Sequence, residues 1–174
     1  RYVIVESLPS AKIDGVCFWL DERSPVIGMS MRYDRIDNYW FVLRHELEHV
    51  LHRHGVDRSG QPSFGMIDAE LEGARAGCGD GVAEEERVAN AAAANFCVPS
   101  KLLKDFIARK APYFTEGDLL GFASMLRVHP GLLAGQLRHA TGKYGLFSNH
   151  LVKIRSVVAP NAIVDGWGDV APVD

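Results

Sequence analysis

Three short apolar runs open the chain: Tyr2-Val3-Ile4-Val5, Val16-Cys17-Phe18-Trp19-Leu20 and Val26-Ile27-Gly28-Met29-Ser30-Met31. They are rich in β-branched and aromatic residues and are bounded by Pro9-Ser10, Asp14-Gly15 and Ser24-Pro25, the punctuation expected around strands. The pattern predicts a small antiparallel sheet over 1–35. Asp21-Glu22-Arg23-Ser24-Pro25 would form a hairpin turn, and an open edge could hold an extended peptide by main-chain pairing. The period then changes. From Tyr39 onward, apolar residues at 40, 43, 47, 50 and 51 recur at helical spacing, which predicts a helix over 36–54 with those residues as its buried stripe.

Residues 55–83 carry scattered glycines and acids with little periodicity, and predict a long surface loop with one short helix near Asp68 to Arg75. Loops of that length in a compact domain tend to be functional, so a flap over a cleft is expected here. The remainder, 84–156, reads as helices. Glu84 to Phe96 begins with acids, as the positive end of a helix dipole favours; Pro99-Ser100 and Thr115-Glu116 are start signals; His129 to Leu137 continues the series. Leu119 to Leu126 followed by Pro130 to His139 has the outline of a helix-turn-helix. Only Arg138, His139 and Lys143 offer polar reach there, so packing against the rest of the domain is the expected role.

With 174 residues, 47% of them hydrophobic, the chain is long enough to bury one sizeable core. The expected division is one domain over 1–158 and a tail over 159–174. A net charge of −3 gives no general basic footprint for nucleic acid. Three widely spaced cysteines, Cys17, Cys78 and Cys97, fit a reducing compartment better than a disulfide framework. No apolar stretch has the length of a membrane span and no secretory signal opens the chain, so the expectation is cytoplasmic, without a membrane partner. The chain starts at Arg1, which reads as an excerpt or trimmed product.

Within the predicted helix stands His45-Glu46-Leu47-Glu48-His49, the pattern H-E-x-x-H. Side chains four apart share a helix face, so His45 and His49 can converge on one ion, with Glu46 close enough to handle a water there. Two imidazoles leave a catalytic zinc short of its usual third protein ligand. The best source is the acidic start of the next helix. If Glu86 ligates, Asn90, four residues on, is placed to hydrogen-bond a ligating histidine, whereas Glu84 and Glu85 read as dipole-stabilising acids. His52 and His54 read as helix-end residues favoured by the dipole and not as ligands. A third histidine six after His49 would be the alternative, but Gly55 occupies that position. A closed structural site would need a fourth ligand, and no suitably spaced Cys or His pair offers one.

His45-Glu46-x-x-His49, Glu86-x-x-Ala89-Asn90 and Phe96-Cys97-Val98-Pro99 together resemble the ImmA/IrrE family of metallopeptidases. The resemblance implies an α+β, zincin-like fold of gluzincin type. It also implies zinc held by His45, His49 and Glu86, with Glu46 as general base and Asn90 behind a ligand. Ala92-Ala93 departs from the family's Phe-Ala, and the long insert between His49 and Glu86 leaves Glu84 and Glu85 as alternatives for the third ligand. Phe18-Trp19-Leu20, Pro25 to Gly28, Arg32 to Asn38, Phe122-Ala123, Val128 to Gly131 and Gly135 to Leu137 resemble a narrower branch, the domain that follows a helix-turn-helix in some HigA-like regulators.

The function implied is a zinc-dependent endopeptidase of bacterial or phage regulation that cleaves a helix-turn-helix repressor or antitoxin. The competing reading is a partner-binding regulatory module that uses the fold as scaffold and meets DNA only through a segment absent from this chain. An intact Glu46 favours the enzyme. For the oxyanion of a tetrahedral intermediate, Tyr33, Tyr113, Tyr144, His139 and His150 stay open as candidates.

Overall fold

In the computed structural model, residues 1–5, 12–56, 66–69 and 84–160 are described, the last strand by its backbone alone. The fold is α+β. Strands β1 (Tyr2–Ile4), β2 (Ile13–Trp19) and β3 (Pro25–Met29) precede helix α1 (Ile36–Leu51); β4 (Met66–Ala69) precedes α2 (Glu84–Cys97), α3 (Ser100–Lys110), α4 (Glu116–Leu126) and α5 (Pro130–Thr141). A 3₁₀ turn at Ser148–His150 and the single turn α6 (Arg155–Val158) complete it.

The sheet has the order β1-β3-β2-β4 and is mixed, not purely antiparallel. β2 and β3 form the expected hairpin, in which Asp21 bonds the Arg23 amide at 2.8 Å and the Ser24 hydroxyl at 2.9 Å. β1 instead runs parallel to β3, Tyr2 opposite Ile27, because the chain crosses back before β2. β4 arises inside the expected loop and pairs antiparallel with β2, with a register shift between Ile13 and Gly15. Asp68 and Ala69 are therefore strand and not the start of a helix; 70–75, and the rest of the expected flap apart from 55–56, lie outside the described residues.

Cluster one packs the sheet on α1: Ile4, Ile27, Met29, Met31, Tyr39 and Val42, closed by Ile154 and Ala159 from the C-terminal segment. Asp34 holds that segment, its Oδ1 accepting from the amides of Ile154 (3.1 Å) and Arg155 (2.7 Å). Cluster two is helical, built from Val98, Leu103, Phe106, Leu119, Phe122, Ala123, Leu133, Ala134 and Leu137. The Thr115-Asp118 capping box starts α4, and Arg127 ends it in the left-handed conformation. α5 packs on α4, α1 and α2, the role expected for it in place of a groove reader.

The helix α1 corrects the stripe read from sequence. Trp40, Leu47 and Leu51 are exposed, and Leu43 and Val50 are only partly buried. The buried residues are Asp37, Tyr39, Val42, His45, Glu46, Glu48 and His49. The sheet lies on one side of α1 and α2 on another, so the face that is covered is decided by these neighbours and not by its apolar content.

Candidate metal centre

Ligand atoms of His45, His49 and Glu86 all lie within 4.8 Å of one another. The two histidines are wholly buried, their Nε2 atoms 2.9 Å apart. Glu86 meets them from α2, with Oε2 3.3 Å from His45 Nε2 and Oε1 3.5 Å from His49 Nε2. A small-residue stripe brings α2 this close: Ala89, Ala93 and Cys97, four apart, are buried and interpose only short side chains. Ala92, where the family pattern has Phe, is partly buried, and Ala93 beside it is fully buried. Glu84 and Glu85 are exposed, and Glu84 pairs with Arg87 at 2.7 Å, so Glu86 is the acid that faces the histidines.

The donor set fits a zinc ion. Zinc binds nitrogen and oxygen at about 2.0–2.2 Å in tetrahedral geometry, which separates ligand atoms by about 3.3–3.5 Å. Both carboxylate separations fall there, and the two Nε2 atoms need to part by only a few tenths of an ångström. Three donors leave the fourth position for water.

Each histidine has a partner at its other ring nitrogen. His45 Nδ1 lies 3.0 Å from Asn90 Oδ1, as the four-residue spacing from Glu86 anticipates. An oxygen there only accepts, so His45 carries its proton on Nδ1 and turns the Nε2 lone pair toward the centre. His49 Nδ1 lies 2.8 Å from His54 Nδ1. For His49 to offer Nε2, its Nδ1–H must donate to an unprotonated Nδ1 of His54.

His54 stands at the helix end, as the sequence reading has it, and adds a contact to a candidate ligand that the reading did not foresee. It follows α1, where Arg53 (φ 56°) and Gly55 (φ 80°) turn the chain back through the left-handed region. Its amide donates to the His49 carbonyl at 2.9 Å and its carbonyl accepts from the Trp19 indole at 2.8 Å, while the Arg53 guanidinium lies 5.1 Å over the Trp19 ring. The available signal was Gly55, whose helix-ending role implies a reversal just after the motif. His52 points elsewhere, to Glu48 at 3.1 Å. Burial pushes the Glu48 carboxyl up, but Arg44 and His52 outweigh it and hold the group below its ordinary range.

Glu46 is wholly buried one residue after His45. Tyr33 lies under the guanidiniums of Arg32 (4.8 Å) and Arg35 (5.4 Å), and Tyr113 is 84% exposed. His150 pairs with Glu116 at 2.8 Å, next to Gly131 and Ile36; Ile36 is nine residues, about 13 Å of helix, before His45. Cys97, on the buried edge of α2, has its thiol pushed up to about 12 by burial and by the nearby Asp37 charge.

A family model, that of the IrrE N-terminal-like domain of peptidase family M78, matches residues 2–134. The chain belongs to this family. No curated protein and no solved structure gave a significant match. The M78 match spans β1 through the first turn of α5, so it takes in all three ligand candidates and Glu46. It carries a metallopeptidase-type function, to which the His45/His49/Glu86 group supplies a place for the metal. No helix among the described residues is long and apolar enough to cross a membrane.

Proposed function

We propose that the chain is a zinc-dependent endopeptidase in which His45, His49 and Glu86 hold the ion and Glu46 is the general base. The observation that carries this reading is the convergence of two buried imidazoles and one carboxylate within 4.8 Å, with a buried glutamate inside the same helical motif. Burying such groups is costly unless they are paired or coordinate a metal. The ion supplies Lewis acidity to a water and to a peptide carbonyl. Asn90 and His54 keep the two imidazoles in the tautomer that presents Nε2. Glu46 takes the proton of the attacking water and delivers it to the departing amine. Among the described residues β4 is the edge strand next to β2, and a peptide extended along such an edge would find main-chain partners. A helix-turn-helix repressor or antitoxin in the cytoplasm is the substrate that the family resemblance supports.

Elemental analysis of the wild type beside Glu86→Ala tests the centre: about one zinc per chain is expected, lost or weakened in the variant. Incubation of the zinc-loaded protein with a purified helix-turn-helix regulator, followed by mass spectrometry, tests turnover, and Glu46→Gln should keep the zinc and abolish cleavage. A wild type that stays folded without metal would transfer the reading to the partner-binding regulator.

A further inference from the structure

Gly15 sits inside β2, where glycine ordinarily weakens a strand. Its backbone does not require it, since the positive-φ glycines among the described residues are Gly55 and Gly142. What requires it is space. A Cβ added at Gly15 would stand 2.0 Å from Glu46 Oε1, 2.8 Å from Glu46 Cδ and 2.8 Å from Val42 Cγ1. Neither neighbour is a loose surface chain: Glu46 and Val42 are both at zero exposure. The strand main chain therefore lies directly against the Glu46 carboxylate. The register shift between β2 and β4 falls at this position, and such irregularities bend a strand locally and re-aim what it faces.

We propose that Gly15 is a positioning residue for Glu46: the missing Cβ forms the notch in which the carboxylate is seated, so β2 fixes the base while Asn90 and His54 fix the ligands. This rests on the reading of Glu46 as general base. It separates two properties that most damage near a metal would lose together. Gly15→Ala should retain zinc content yet lower kcat by about 10²-fold with KM little changed, the scale expected for displacement of a reacting group by about 1 Å.

A second readout does not depend on turnover. In metal-free protein, Gly15→Ala should lower Tm, and Glu46→Asp, one methylene shorter, should restore at least half of that loss when combined with it. If Gly15 served only the strand backbone, the Tm losses of the two substitutions would add. Additive losses, or an unchanged kcat in Gly15→Ala, would overturn the proposal. Should Gly15→Ala fail to fold, recovery of a folded protein in Gly15→Ala/Glu46→Asp supports the notch, and failure of both overturns it. A wild type with no peptidase activity removes the general-base reading, while the Tm coupling still decides whether Glu46 occupies the notch.

Discussion

Around α1, which packs against the sheet, α2 and α5, groups that water would hold are buried: His45, Glu46 and His49 completely, Asp14, Asp37 and Glu48 nearly so. Among α3, α4 and α5 the buried side chains are apolar, with Leu119, Leu133 and Leu137 fully enclosed and Phe106 stacked on Phe122 at 4.4 Å. Every buried polar or charged residue among the described residues lies between positions 14 and 49. Burial of ionisable groups opposes folding, whereas close-packed leucine and phenylalanine favour it. The helical layer thus offsets what the site layer costs, and it lies against the site helix through α5.

The sharpest break in that contrast is expected at Glu46. Glu46→Gln preserves shape and removes the charge, so turnover should fall by about 10²–10⁴-fold, the range of general acid–base catalysis. Thermal denaturation of the metal-free variant should show a Tm no lower than that of the wild type; a clear drop would make Glu46 a stabilising residue and erase the difference between the layers. Leu133→Ala should do the reverse. A fully buried leucine removed from a packed cluster costs about 2–5 kcal/mol, readable by urea denaturation, while zinc bound per folded chain stays the same.

Asn90→Ala bears on the seam between the layers. Loss of the 3.0 Å contact to His45 should weaken zinc binding by about 10–100-fold in a chelator competition, with little change in metal-free stability. An unaltered affinity would mean that Asn90 does not orient the ring. The smallest effect is expected at the start of α4. Lys110 at 2.6 Å and then Thr115 hold the Asp118 carboxyl at about 2, below its ordinary 3.8. A folded value below the unfolded one gives stability that is present above about pH 4 and lost as pH falls through 2. Asp118→Asn should flatten this part of the acid limb, measured as Tm against pH from 4 to 2, and leave zinc affinity untouched.

Much of this was legible along the chain. The H-E-x-x-H spacing places His45, Glu46 and His49 on one turn of helix whatever surrounds them, because 3.6 residues per turn is a local property. The separation of Glu86 and Asn90 is local in the same way, and so are the Thr115 capping box and the Asp21 turn. The pairing of β1 with β3, and β4 at the sheet edge, depend on contacts between residues far apart in sequence, which no local pattern carries.

What the sequence by itself determined, then, is the set of chemically competent residues and the helices that bear them. Tertiary structure decided which faces those helices hide. Periodicity assigns the apolar stripe of α1 to the interior, yet Trp40, Leu47 and Leu51 face outward while the histidines and Glu46 are enclosed. It also decided which of three consecutive glutamates meets the histidines, how a reversal at Arg53 and Gly55 returns His54 to His49, and why β2 has a glycine over the buried carboxylate. The physical reason is common to these cases: each depends on distances between segments separated by long stretches of chain, and those distances are set only when sheet, site helix and helical layer pack together.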